Sequence, residues 1–232
     1  MTGRALRLCG VSAGYGAEKV LRGLSFEADY GEKVALFGLN GSGKTTALMA
    51  CVGLARFEGE IEVCGERVEK KTLDKIRRNV GFLFNQPEDQ LLFPLAEEDA
   101  AFNLIAAGVE PSEAKAKARS ALESVGALKL ARRDVFELSR GERLKVALAG
   151  AIASDPPLLL LDEPNAGMDP PGRKRLAEYL SQCRSAIVCA SHDAAFARSF
   201  CSRFVLIDDG VAALSGTDFS AVEEYWEKTA AR

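Results

Sequence analysis

Histidine is almost missing from this chain of 232 residues: His192 stands alone, beside a single tryptophan. The six cysteines, at 9, 51, 64, 183, 189 and 201, include no C-x-x-C pair and have no histidine companion. That spacing gives no support to a zinc or disulfide framework. Cys9, Cys51 and Cys189 lie in apolar surroundings and are expected as small buried thiols. An excess of basic charge is absent too. Thirty Lys and Arg against 33 Asp and Glu leave a net charge of −3, which argues against a nucleic-acid partner. No apolar stretch approaches the ~20 residues that a membrane-spanning helix needs. The start, Met1 to Arg4, lacks the apolar core of a signal peptide, so the chain is expected in the cytosol. Linkers, repeats and low-complexity tracts are missing as well. What remains is the composition of one sizeable α/β domain, 47% hydrophobic and 27% charged, long enough to carry an inserted subdomain.

Glycine, by contrast, is concentrated where it has a purpose. Gly38, Leu39, Asn40, Gly41, Ser42, Gly43, Lys44 and Thr45 spell G-x-x-x-x-G-K-[ST], a complete phosphate-binding loop. The apolar run Val34–Phe37 precedes it and the helix-forming stretch Ala47–Ala50 follows, which is the strand–loop–helix context the motif requires. Glycines let successive N–H groups turn toward one centre, and a helix N-terminus adds partial positive charge there. Lys44 supplies an ammonium for the β- and γ-phosphates, and the Thr45 hydroxyl can ligate Mg²⁺. The pattern implies binding of a nucleoside triphosphate.

Short β-like runs open the chain at Ala5–Leu8 and Leu24–Ala28, with Gly14-Tyr15-Gly16 as a turn between them. Further strands are expected at Glu60–Cys64 and Asn79–Phe84. From Pro87 to about Ile152 the pattern is mostly helical. Ser112 is placed as the N-cap of a helix Glu113–Val125, and Gly126 stands where a C-terminal glycine belongs. The continuous apolar runs Leu158–Leu161 and Ile187–Ala190, separated by helix-like Pro171–Gln182, predict parallel strands buried on both faces. Phe204–Asp208 and Val211–Leu214 predict a hairpin turning at Asp209-Gly210. The fold class is therefore α/β: a P-loop nucleotide-binding core over residues 1–232, interrupted by a helical insertion at about 87–152.

Two further sites carry chemistry. Leu158–Leu161 ends in Asp162-Glu163-Pro164, and an aspartate at the end of a buried strand is the partner that a magnesium–phosphate site requires beside Thr45. Glu163 would face the γ-phosphate, where a carboxylate can polarise an attacking water. A bare strand-end turn would also use Asp and Pro, but the intact phosphate loop favours the functional reading. His192, in Ala190-Ser191-His192-Asp193, follows another core strand, and ligands collect at the carboxyl ends of parallel strands.

These motifs occur in one order: the phosphate loop, a glutamine at 86, Leu138-Ser139-Arg140-Gly141-Glu142, the Asp162-Glu163-Pro164 run, Asn165-Ala166-Gly167-Met168-Asp169, and Ser191-His192-Asp193. In that order, over nearly the whole length, the chain resembles the ATP-hydrolysing subunit of an ABC (ATP-binding cassette) transporter. The resemblance implies an ABC ATPase with an N-terminal antiparallel β subdomain, using ATP and Mg²⁺. It implies that Tyr15 stacks on adenine, that Thr46 assists at the phosphates and that Gln86 reaches the magnesium and water. Leu138, Ser139, Arg140, Gly141 and Glu142 would be the signature loop, pressed on ATP held by a second ATPase subunit in a homo- or heterodimer. Asp169 would cross the dimer interface and His192 would contact the γ-phosphate. Integral membrane transport subunits are the other implied partners, which places the chain peripherally on the cytoplasmic face of the plasma membrane.

Phe84 to Phe93, followed by Glu98-Asp99-Ala100-Ala101-Phe102, is similar to the energy-coupling-factor importers, which take up cobalt, nickel or vitamins. In that comparison the segment is a short helix that meets a basic amphipathic partner helix. Two departures from the family pattern stand out. Asn85-Gln86 inverts the usual order, leaving either residue for the magnesium role. Arg140 replaces a glycine, and its guanidinium either lies outward or intrudes on the closed dimer. The rival classes are a soluble ABC ATPase acting on DNA or ribosomes, and a weakly hydrolysing regulatory subunit.

Overall fold

The computed structural model describes residues 3–16 and 18–230. The chain opens with two long strands, β1 (Arg4–Tyr15) and β2 (Glu18–Asp29), followed by β3 (Lys33–Phe37) and α1 (Lys44–Cys51). β4 (Phe57–Val63), the short β5 (Glu66–Arg67), α2 (Leu73–Arg78) and β6 (Val80–Leu83) come next. Three helices then run in succession: α3 (Ala96–Ala106), α4 (Pro111–Ser124) and α5 (Arg140–Ile152). The chain returns to the sheet with β7 (Leu158–Asp162), α6 (Pro170–Gln182), β8 (Ala186–Ala190) and α7 (Ala194–Arg198). It closes with β9 (Arg203–Asp208), β10 (Val211–Gly216) and α8 (Phe219–Ala230).

The strands form two sheets. One is antiparallel, in the order β2-β1-β4-β5; the other has the order β10-β9-β3-β8-β7-β6. In the second, β9, β3, β8, β7 and β6 are parallel and β10 pairs antiparallel at the edge. The parallel sheet is buried on both faces, which explains its near-continuous apolar runs. Along β3, Val34 and Leu36 pack toward the antiparallel sheet and α1, whereas Ala35 and Phe37 pack toward the helices. Leu158 and Leu160 of β7 alternate with Leu159 and Leu161 in the same way. Asp209 and Gly210, with φ of 45° and 76°, make the β9–β10 turn, as the dipeptide predicts.

Two sequence expectations fail. Glu110, not Ser112, caps α4: its carboxylate accepts from the N–H groups of Ser112 (2.9 Å) and Glu113 (3.2 Å), and Pro111 starts the helix. Proline at the first helical position has no N–H to satisfy, which moves the cap two residues earlier. Cys9 is exposed, because it falls on the outward face of β1, while Cys51 and Cys189 are buried as expected.

The approach of α5 to the sheet depends on Gly81 in β6. A Cβ there would stand 2.2 Å from the carbonyl oxygen of Ala151 and 2.6 Å from Leu159 Cδ2. Gly81→Val is therefore expected to lower stability by about 1–3 kcal/mol through overpacking, read as a lower denaturation midpoint with an unchanged m-value.

Candidate functional site

The carboxyl ends of β3, β7 and β8 lie side by side, so the loops that follow them meet at one edge of the sheet. After β3 the chain turns through Gly38, Gly41 and Gly43, with φ of 152°, 83° and 104°, into the start of α1. Gly38 tolerates no side chain, since a Cβ would fall 2.3 Å from Ser42 Oγ and 2.4 Å from the Ile207 carbonyl oxygen. Asn40 and Gly41 are exposed at the loop tip, whereas Lys44 and Thr46 are buried. Lys44 Nζ curls back on its own loop and donates to the carbonyls of Gly38 (2.8 Å) and Leu39 (3.0 Å). Burial pushes this ammonium below its ordinary pKa, against the opposing pull of the Glu163 and Asp162 charges.

Thr45 and Asp162 are 117 positions apart in sequence, yet the Thr45 hydroxyl donates to Asp162 Oδ2 at 2.7 Å. Burial raises the Asp162 carboxyl, the bond from Thr45 pulls it back down, and the neighbouring Glu163 raises it further. Glu163 has φ of 53°, a left-handed conformation fixed in part by its N–H bond to Ala190 at 2.9 Å. Its side chain is 12% exposed, and His192 Nδ1 stands 2.8 Å from Glu163 Oε2, in ion-pair range but off the line of a hydrogen bond. The structure thus brings Lys44, Thr45, Asp162, Glu163 and His192 together.

Gln86 sits just beyond β6, exposed beside the equally exposed Asn85, and begins a single 3-10 turn over Pro87–Asp89. The side chain of Tyr15, expected at adenine, lies outside the described residues. The segment Leu138–Glu142 stands at the N-terminus of α5, where Ser139 is the N-cap. Ser139 Oγ accepts from the Glu142 N–H at 3.4 Å while Glu142 Oε2 accepts from the Ser139 N–H at 3.1 Å, a capping box, and the Ser139 hydroxyl also donates to Glu142 Oε2 at 2.8 Å. The Ser139 hydroxyl, followed by the Ser139 N–H, holds the Glu142 carboxyl below its usual range. Arg140 is exposed in the first turn, and Leu138 is buried. Gly141 is the tight position of this loop, because a Cβ there would lie 2.8 Å from the Gly167 carbonyl oxygen. Asp169 caps α6 through its Oδ1, which accepts from the Gly172 N–H at 3.2 Å.

Sequence reasoning did not find the clamp behind His192. Asp193 Oδ2 accepts from Asn165 Nδ2 (2.8 Å) and Arg173 (3.3 Å), while its Oδ1 accepts from the Phe196 N–H (2.9 Å). An aspartate three residues before a helical N–H is a legible cap signal; its link to Asn165 is not, since it depends on which loops adjoin.

The donors fit a triphosphate with a hard divalent cation. Two oxygen ligands already touch in Thr45 and Asp162, and Mg²⁺ takes few protein ligands and completes its shell with phosphates and water. Ser42 Oγ and Glu163 Oε2 are buried without a hydrogen-bond partner, polar atoms that a bound ligand or its water would satisfy.

Comparison with known proteins agrees. Residues 21–166 match the family model described as ABC transporter. The chain is 37% identical over 214 residues to a putative ABC transporter ATP-binding protein of Streptomyces avermitilis, covering 91% of this chain and 82% of the relative. It is 43% identical over 200 residues to another from Gloeobacter violaceus, covering 84% of this chain and 82% of that one. Among solved structures, the ATP-binding cassette MJ0796, described as a dimeric post-hydrolysis state bound to ADP and Pi, superposes with a TM-score of 0.83 at 27% identity. That superposition covers 91% of this chain and 98% of the other. The cbiO1 protein of Clostridium perfringens, described as part of the ABC transporter complex cbiONQ, gives 0.81 at 26% identity, covering 96% and 92%.

Proposed function

The chain belongs to the ABC transporter family as an ATP-binding, ATP-hydrolysing subunit, and on that premise we propose that it powers a membrane importer for cobalt, nickel or a vitamin. The observation that carries the ATPase chemistry is the convergence of Lys44, the Thr45–Asp162 contact and the Glu163–His192 pair at one sheet edge. Thr45 and Asp162 would hold Mg²⁺, whose charge neutralises the phosphates when bound. Lys44 orients the β- and γ-phosphates, and Glu163 takes the proton of the attacking water. His192, beside the Glu163 carboxylate, reaches the γ-phosphate. Residues 1–232 act as one cassette, with the helices α3 to α5 as its inserted subdomain.

Two such subunits pair around ATP, each offering Ser139 and the N–H of Gly141 to the nucleotide of the other, with Asp169 at the interface. Pairing follows from contacts to the γ-phosphate that exist only in the closed state, so cleavage reopens the pair. The dimeric description of MJ0796 supports the pairing. Gln86 is assigned to the magnesium and water at the end of β6.

Membrane partners are inferred from a different surface. A groove of about 470 Å³ runs between α2, β6 and α3, lined by Leu54, Phe82, Phe84, Leu92 and Phe102 among others. Leu54, Leu92, Phe93, Phe102 and Ile105 expose apolar surface in or beside it, the kind of patch that marks a docking site. Its charges are mixed, with Arg77 and Arg78 as well as Asp74, Asp89 and Asp99, so a partner helix would carry both signs. The sequence suggested a basic amphipathic partner helix; the two arginines make the surface mixed in charge. Docked on these partners the chain would lie peripherally on the cytoplasmic face; among the described residues no helix is long and apolar enough to cross a membrane. The cobalt, nickel and vitamin class rests on the segment Phe84–Phe102 and on the likeness to cbiO1.

Deleting the chain from its host and measuring uptake of radiolabelled cobalt, nickel and B-group vitamins tests the cargo class. Loss of uptake of one of them is expected, restored by the wild-type chain; unchanged uptake of all would overturn the importer assignment.

A further inference from the structure

The segment between β6 and α3 is fastened to α5 by side chains that the ATPase chemistry does not use. Gln90 is half-buried. Its Oε1 accepts from the Phe84 N–H at 3.1 Å, and its Nε2 donates to the carbonyls of Phe82 (3.4 Å) and Ala147 (3.2 Å). One amide therefore closes the end of β6 and reaches the middle of α5.

A second fastening lies one turn nearer the start of that helix. Arg143 donates from Nε to the Val135 carbonyl (3.0 Å), from one terminal nitrogen to the Phe136 carbonyl (2.7 Å) and from the other to Glu88 Oε1 (3.2 Å). Its guanidinium thus joins three pieces of chain: the 3-10 turn at Pro87–Asp89, the turn at Val135–Glu137 that leads into Leu138 and Ser139, and α5 itself. Arginine suits this task because its planar fork holds several acceptors in one fixed arrangement. On the other side Asp99 Oδ2 accepts from the Leu92 and Phe93 N–H groups at 2.6 and 2.9 Å, pinning the far end of the segment to α3. Leu91, between these anchors, is buried in the helical core.

We propose that Gln90 and Arg143 are positioning residues that strap the segment 84–93 to the first turns of α5, so that this segment and the Ser139–Glu142 capping box move as one body. The inference rests on the reading above, in which 84–102 meets the membrane partner and Ser139 meets the nucleotide of a second subunit. It adds the route between them: Glu88 and Gln90 on one side, the Arg143 guanidinium and the Ala147 carbonyl on the other. The warrant for such coupling is an element that both sites bias, and here its parts are joined by named bonds.

Hydrogen exchange of the full chain, with and without Mg²⁺ and the non-hydrolysable β,γ-imido analogue of ATP, tests the strap. In the wild type the analogue is expected to slow exchange at 38–46, at 138–146 and at 84–93, each by at least about fivefold. In Gln90→Ala/Arg143→Ala the slowing at 38–46 should persist while that at 84–93 falls below about twofold. Gln90→Glu keeps the shape and the acceptor for Phe84 but loses the donor to Ala147, and it should weaken the 84–93 response in the same direction. It carries the test alone if the double variant does not fold. A response at 84–93 that survives these changes, or is absent from a wild type that responds at 38–46 and 138–146, overturns the strap. No slowing at 38–46 or 138–146 in the wild type would instead count against the paired-ATPase reading itself.

Discussion

Lys44→Ala is expected to bind ATP roughly 10²–10⁴-fold more weakly than the wild type, since the lysine makes two charge-assisted contacts of about 1.5–3 kcal/mol each. The loss has a second source in the free protein. Lys44 is the cation beside two buried carboxylates, Asp162 and Glu163, and its ammonium also satisfies the carbonyls of Gly38 and Leu39. Alanine leaves those carbonyls bare and the carboxylates facing each other, which disfavours a further anion at the same place. Calorimetric titration with Mg-ATP measures the effect. An affinity within about threefold of wild type, a change of only ~0.7 kcal/mol, would remove Lys44 from the phosphate site.

Glu163→Gln separates binding from chemistry. The amide keeps the size of the carboxylate but has lost the basicity that draws a proton from water, so turnover is expected to fall by roughly 10²–10⁴-fold. Nucleotide affinity should stay near that of wild type, because Lys44 and the Thr45–Asp162 pair are untouched. A variant that binds and does not cleave should accumulate as ATP-dependent pairs, visible by size-exclusion chromatography with light scattering. Normal steady-state phosphate release from this variant would show that another group activates the water. The backbone argues for glutamine rather than a smaller residue: position 163 holds φ of 53°, and glycine there would change the local chain as well as the side chain.

Much of this was legible before any coordinates. The phosphate loop is a local device, eight residues whose chemistry and turn are set by their own sequence, and the apolar runs of β3, β7 and β8 announce a sheet covered on both sides. Other features depend on neighbours that sequence does not reveal. That Thr45 touches Asp162 follows from β8 lying between β3 and β7, an order not given by chain position. Glu110 displaces Ser112 as a cap because Pro111 follows it, a local signal two residues before the expected cap. Cys9 was misplaced since a strand with one exposed face alternates, and an apolar neighbourhood in sequence does not say which side a residue takes. The Asn165–Asp193 clamp and the Gln90 bonds join segments 28 and 57 positions apart, beyond any periodicity.

The near-contact of Gly141 with Gly167 has a consequence for how information spreads through the molecule. With no room for even a methyl group between them, the first turn of α5 and the bend before α6 share a single backbone seam. The atom that a side chain at 141 would meet is backbone, so no rotamer change could make room for it. Asn165, two residues before Gly167, is bonded to Asp193, the neighbour of the lone imidazole. The bare Gly141 thus sets how closely this helix end approaches the loop that runs, by way of Asn165 and Asp193, to the hydrolytic centre.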